Sequence, residues 1–454
     1  MNNPKINKKK ISIVGLGKLG LPLAACFASR GFKTIGIDIN DKVVGAINKG
    51  LSPIIETKLQ EFISKFGHNL KATRKHEEAI NETDITFIVV ATPSDPEGNF
   101  SNTYVESALK LLARAFKKSK KKYHIFVVSS TVMPGSTEKR LIPLIEKYSG
   151  KKLNVDFGVC YVPEFVALGN VIRDFLNPDL VAIGESNKFA GDQITSIYKK
   201  FCENKPLIAQ MSIISAEIAK VSLNAFITTK ISFANILANI CEKIPGANVD
   251  SITKAMGADK RISPYYFKGG LSFGGTCFPR DTRSFICFAK KHDIDAGLIL
   301  EVEKINEFQN AHLAEIVLRN LAPRSCKKVS ILGLAFKPNT PVITESPAIK
   351  LIKELLKKGV KVIAYDSLAT GKTKEIFQDK IEYADSIKDC ISNSNLCVIT
   401  VQSDEFKNAN YNKIIKKPTV IVDCWRILNP QKLGKKIKYI AIGKGQSNLR
   451  KNKI

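Results

Sequence analysis

Ile11-Ser12-Ile13-Val14-Gly15-Leu16-Gly17-Lys18-Leu19-Gly20 decides the fold of the N-terminal half of this chain. Its first four residues form a short buried strand. Three glycines follow at the spacing G-x-G-x-x-G, and Leu21 to Ser29 continues as a helix that Gly31 ends. Thr34-Ile35-Gly36-Ile37-Asp38 is the next strand, closed by an acid. A glycine turn between strand and helix lets a pyrophosphate rest on the helix N-terminus, and an acid after the second strand accepts hydrogen bonds from a ribose. Gly15, Gly17, Leu19, Gly20 and Asp38 are therefore candidate cofactor residues, and Asp38 favours NAD over NADP.

Two later strands carry hydroxyl residues at their ends. Ile85 to Ala91 runs into Thr92-Pro93-Ser94, and Ile125 to Val128 runs into Ser129-Ser130-Thr131. Ligands of doubly wound sheets sit at carboxyl ends of strands, which makes Thr92 and Thr131 candidates, although turn chemistry alone accounts for such residues. The strand and helix pattern restarts at Lys327, with strands at Lys328–Leu332, Lys361–Asp366, Leu396–Thr400 and Val420–Asp423 and an amphipathic helix at Ala348–Lys358. Between the halves, Ile213 to Ile244 reads as one long, mostly apolar helix. Lys220 and Asn224 share a face of it, with Glu217 one turn earlier. A buried lysine needs a partner, and pairing with Glu217 is one way to supply it.

At 454 residues the chain exceeds a single core. The expected organisation is α/β: a doubly wound domain over 1–205, a helical middle domain over 206–318 and a second doubly wound domain over 319–454. No uninterrupted apolar run has the length of a membrane span. Met1 to Lys10 lacks the apolar stretch and cleavage site of a signal peptide, so a cytoplasmic location is expected. Ten cysteines without a CxxC pair argue for free thiols and against a metal site. The formal charge of +28 is spread along the chain without a nucleic-acid-binding motif. It is read as a solvated lysine-rich surface that attracts anionic substrates; neither nucleic acid nor membrane is an expected partner.

Gly269-Gly270-Leu271-Ser272-Phe273-Gly274-Gly275-Thr276-Cys277-Phe278-Pro279-Arg280-Asp281 sets a cysteine between a glycine-rich loop and an Arg-Asp pair. A thiol near cationic groups can act as a nucleophile. Taken with Gly15–Gly20, Ser129–Val132, Pro163-Glu164-Phe165, Ala216–Lys220 with Asn224, and Gly333–Lys337, the chain from about Lys10 to about Arg426 resembles the nucleotide-sugar 6-dehydrogenases. The resemblance implies two Rossmann-like domains joined by a long central helix, and a four-electron oxidation of a sugar primary alcohol to the acid with two NAD⁺. It implies Cys277 as nucleophile and Lys220 and Asn224 as oxyanion donors, with Lys220 as first base the alternative. Asp281 and Glu164 would activate or orient water, with Thr131 helping to place it. Arg280 falls with the cofactor residues. Phe165, Val166, Lys220, Asn224, Lys268, Phe273, Gly274, Lys337 and Arg426 fall at the substrate, and Arg261 at a partner subunit's site in an oligomer that is at least dimeric.

Three positions depart from the family pattern. Leu168 stands where a second carboxylate is usual, Thr344 where an arginine is usual, and Trp425 precedes Arg426 in place of glycine. All three lie where sugar or cofactor is read. UDP-glucose is the default substrate, and a UDP-N-acetylhexosamine is the alternative. A two-electron hydroxyacid-type dehydrogenase would need neither Cys277 nor the second α/β domain. A basic binding protein with a vestigial dinucleotide fold would show steeply salt-dependent nucleic-acid binding.

Overall fold

The computed structural model describes residues 6, 10–95, 97–321, 328–392 and 394–445. Two compact units divide the chain, Met1–Ser222 and Leu223–Ile454. The first is built on eight strands: β1 Lys10–Val14, β2 Lys33–Ile37, β3 Leu70–Thr73, β4 Ile85–Ile88, β5 His124–Val128, β6 Phe157–Tyr161, β7 Leu180–Glu185 and β8 Leu207–Ser212. Their order is β3-β2-β1-β4-β5-β6-β7-β8. Every pairing is parallel except β6 with β7, which is antiparallel.

Both faces of this sheet are covered. On one, Leu21, Leu23 and Phe27 of the helix Gly20–Ser29 pack with Phe87, Ile183 and Phe201. The Phe27 ring lies 4.3 Å from Phe201 and 5.2 Å from Phe87. On the other, Leu109, Leu112 and Phe116 of the helix Thr103–Lys118 meet Phe126, Val128 and Phe157. Full burial of each such side chain contributes about 1.5–3 kcal/mol. A sheet buried on both faces explains the continuous apolar strands.

β4 stops at Ile88, three residues short of the expected Ala91. Beyond it the Ser130 side chain takes over the ladder. Its hydroxyl accepts from the Val90 amide at 2.9 Å and donates to the Val90 carbonyl at 2.7 Å. The strand thus ends where the Ser129–Ser130 turn crosses it.

The second unit carries β9 Lys328–Leu332, β10 Lys361–Tyr365, β11 Glu382–Tyr383, β12 Leu396–Ile399, β13 Thr419–Asp423 and β14 Ile437–Ala441. The order is β11-β10-β9-β12-β13-β14, all parallel. Ile352 and Leu355 of the helix Pro347–Lys357 pack with Ile331, Val398 and Val422 on one face, and Phe406 and Tyr411 pack with Ile399 and Ile421 on the other. This is the expected α/β class with two doubly wound sheets and a long central helix.

That helix runs Ile213–Lys243. By length and mean composition it passes as a membrane span, a test that core helices also pass, although Glu217, Lys220 and Lys230 interrupt its apolar run. Glu217, Lys220, Asn224 and Asn235 along it are buried, and all four bond to protein groups. Phe226 (67% exposed), Phe233 (46%), Ile236, Ile240 and Ile244, in contrast, lie open.

Candidate active site

The turn after β1 tests whether a dinucleotide fits. Gly15 has φ +95°, and a Cβ there would sit 2.5 Å from the Val89 carbonyl oxygen. A Cβ on Gly20 would come within 1.8 Å of the Gly15 carbonyl oxygen. Around Gly17 nothing lies within 4 Å of that position. Two glycines thus make the tight turn and its packing, and the third leaves an open approach over the helix N-terminus, as a pyrophosphate requires. Leu19 packs on the core as the residue before the helix. One Asp38 oxygen accepts from the Leu16 amide at 2.8 Å and the other from the Asn40 amide at 2.9 Å, which fixes the carboxylate beside the glycine turn. Thr92 is buried and Thr131 half-buried, each following its strand.

Farther along the same unit, Glu164, Phe165 and Lys220 come together. Lys220, only 8% exposed, donates from Nζ to the Glu164 main-chain carbonyl at 2.7 Å and lies 4.9 Å from the centre of the Phe165 ring. Its partner is therefore not Glu217. That carboxylate is fully buried and accepts from the amides of Gly135 (2.5 Å) and Thr137 (3.0 Å), anchoring the segment that follows Thr131. The Glu164 side chain accepts from the Tyr198 hydroxyl at 3.3 Å. Burial pushes its carboxyl up to about 8, overriding the lowering influence of Tyr198 and Lys220. Val166 and Leu168 both pack on the sheet core, so Leu168 is an anchor of this loop. Glu56 holds the loop from below, accepting from the amides of Gly169 and Val171.

In the second unit Cys277 stands at the N-cap of the helix Phe278–Lys290, and its carbonyl accepts the Asp281 amide at 2.8 Å. It is the exposed cysteine among those described; Cys287 is half-buried and the others are buried. A helix N-terminus favours negative charge on an adjacent group. One turn into the helix, Asp281 is fully buried. It accepts from Asn224 Nδ2 at 2.6 Å through one oxygen and from Arg280 Nε at 2.9 Å through the other. Arg280, expected at the cofactor, forks onto its neighbour.

The glycine loop ahead of Cys277 is clamped by side-chain amides that the sequence reading missed. Asn235 accepts from the Gly270 amide and donates to the Leu271 carbonyl. Asn306 bonds both backbone groups of Phe273, at 2.7 and 3.1 Å. Gln309 donates to the Gly270 carbonyl, and Asn310 accepts from Ser272. Asn306, Gln309 and Asn310 share one face of the helix Gly297–Arg319. Their i, i+3, i+4 spacing was the available signal. A Cβ on Gly274 would come within 2.3 Å of the Glu345 carbonyl oxygen, and the Gly275 amide donates to the Thr344 carbonyl at 2.9 Å. Thr344 thus acts through its backbone. The Trp425 ring covers Gly270, and its Nε1 donates to the Thr400 carbonyl at 2.8 Å.

The remaining expected residues vary in surroundings. Lys268 donates to Gln402 at 2.9 Å. Lys337 lies half-buried against the Phe336 ring. Arg426, with φ +57°, is committed to Asp250, the Gly269 carbonyl and the Ile442 carbonyl. Arg261 is exposed and pairs with Asp259.

Known proteins resemble this arrangement along nearly the whole chain. The family model described as UDP-glucose/GDP-mannose dehydrogenase family matches in three parts: the NAD binding domain over 9–202, the central domain over 214–308 and the UDP binding domain over 330–430. A UDP-glucose 6-dehydrogenase of Haloferax volcanii is 34% identical over 422 residues, covering 92% of this chain and 97% of the relative. A GDP-mannose 6-dehydrogenase of Pseudomonas syringae pv. syringae is also 34% identical, covering 91% and 95%. The solved UDP-glucose dehydrogenase of Pyrobaculum islandicum superposes with a TM-score of 0.88 at 29% identity, covering 98% of this chain and all of that one.

Proposed function

The chain belongs to the UDP-glucose/GDP-mannose dehydrogenase family, and from that premise we propose that it oxidises C6 of UDP-glucose to UDP-glucuronate through a thioester on Cys277. The family makes it an NAD-dependent nucleotide-sugar 6-dehydrogenase. The observation that carries the thioester reading is the exposed Cys277 at a helix N-terminus, one turn before the buried Asp281 that Asn224 and Arg280 hold.

Gly15–Gly20 and Asp38 would hold NAD⁺, which would supply the hydride acceptor, two equivalents per sugar. The C6 alcohol loses a proton and a hydride to become the aldehyde. The Cys277 sulfur adds to the aldehyde carbon, giving a thiohemiacetal. Loss of a second hydride and a proton leaves the thioester. Water then adds, the C–S bond breaks, and the thiolate returns. One alcohol and one water become one carboxylate, with two hydrides (four electrons) transferred and three protons released. Each addition places negative charge on an oxygen, which donors such as the Lys220 ammonium and the Asn224 amide stabilise. Glu164, whose carboxyl burial pushes up to about 8, takes the proton from the attacking water.

UDP-glucose is favoured by the solved UDP-glucose dehydrogenase that superposes over 98% of this chain with a TM-score of 0.88. The test is turnover of UDP-glucose, UDP-N-acetylmannosamine, UDP-N-acetylglucosamine and GDP-mannose, each with NAD⁺. The expected result is a kcat/KM for UDP-glucose at least about tenfold above the others. A higher value for another sugar transfers the reading to that sugar.

We further propose that Phe226, Phe233, Ile236 and Ile240 form the contact of a homodimer, since their exposure places an apolar stripe on one long helix. Sedimentation should give the mass of two chains for the native protein and of one for Phe233→Glu. A native mass of one chain would refute it.

A further inference from the structure

We propose that Tyr198 is a positioning residue for Glu164, its phenol holding the carboxyl in the orientation from which it takes a proton from water. The inference rests on the proposed role of Glu164. Tyr198 lies in the helix Lys188–Phe201, is 3% exposed, and packs edge-on against Phe201 at 5.6 Å. Filling that space requires only the ring, so phenylalanine would serve the fold. A buried phenol must find a partner, and this one donates to Glu164 Oε1 at 3.3 Å.

The surroundings leave the carboxyl few other contacts that favour its charge. Among the described residues, the groups facing it are Lys220, Tyr198 and the thiols of Cys26 and Cys202, with Arg30 and Glu203, 3.9 Å apart, beyond the thiols. Lys220 favours the charged carboxylate but spends its short contact on the main-chain carbonyl. Burial pushes the phenol of Tyr198 well above its ordinary range, so it remains a donor throughout the working pH range. A donor to the charged form holds a carboxyl's titration down. Its removal must therefore move Glu164 upward from about 8.

The test is Tyr198→Phe, followed as kcat against pH from neutral to alkaline. The acid limb should move up by about one pH unit. Turnover below the limb should fall about tenfold and recover on the alkaline side. Tyr198→Phe added to Glu164→Gln should change nothing further. An unmoved limb, or an equal loss at every pH, would overturn the proposal, because a merely structural tyrosine lowers activity without moving a titration. Should the native protein turn over no nucleotide sugar, the functional reading has failed separately. The proposal is then decided by infrared titration of the Glu164 carboxylate band in native and Tyr198→Phe protein: an upward midpoint supports it, and coincident midpoints overturn it.

Discussion

Cys277→Ser is expected to abolish formation of the acid product, lowering turnover by at least about a thousandfold. Serine keeps the size of the side chain and its place at the N-cap of Phe278–Lys290, so the loop should stay folded. What changes is the nucleophile. A thiol is a few per cent thiolate at neutral pH and is intrinsically reactive, while a hydroxyl needs an adjacent base. The nearest acid along the helix, Asp281, has both oxygens occupied by Asn224 and Arg280. Rapid-quench product analysis with NADH absorbance measures the effect. Acid production at the native rate in Cys277→Ser would exclude the thioester route.

Asp281→Ala should cost both stability and activity. The carboxylate is fully buried and binds two donors from different elements, Asn224 of the long helix and Arg280 of its own. Removing the buried carboxylate takes a partner from each donor, a loss of about 3 kcal/mol once the partial exposure of Arg280 is allowed for. Turnover should fall at least about a hundredfold, because Asn224 loses the contact that orients its amide. Asp281→Asn, which keeps an acceptor for Asn224 but not the charge for Arg280, should recover part of the stability. Urea unfolding and steady-state rates measure the two effects. An Asp281→Ala protein with native stability would show that the buried network contributes nothing to the fold.

Much of the architecture was legible because it rests on local rules. The glycines at 15, 17 and 20 sit between a buried strand and a helix, and each has the steric role its spacing implies. The long helix was expected to end at Ile244 and ends at Lys243. β3, β6, β7, β8, β11 and β14 do not stand out in the sequence; β6 and β7 pair antiparallel and break the alternating pattern. β4 was overdrawn because a serine hydroxyl replaced backbone pairing at Val90.

Within the candidate site, local reading failed where partners are distant in sequence. Glu217 and Lys220 are nearly one turn apart, yet each is satisfied elsewhere, at Gly135 and Thr137 and at the Glu164 carbonyl. The amides that clamp the glycine loop look like surface polar residues until the helix Gly297–Arg319 is seen to turn them inward. Leu168, which looked like a lost carboxylate, proves to be a hydrophobic anchor.

The central claim is a four-electron oxidation completed on one enzyme without release of the aldehyde. It is tested most directly by counting NADH against sugar consumed, with the protein limiting and an aldehyde trap present. The account predicts two NADH per nucleotide sugar, one carboxylate formed and no trapped aldehyde. One NADH per sugar with aldehyde in the trap would contradict it.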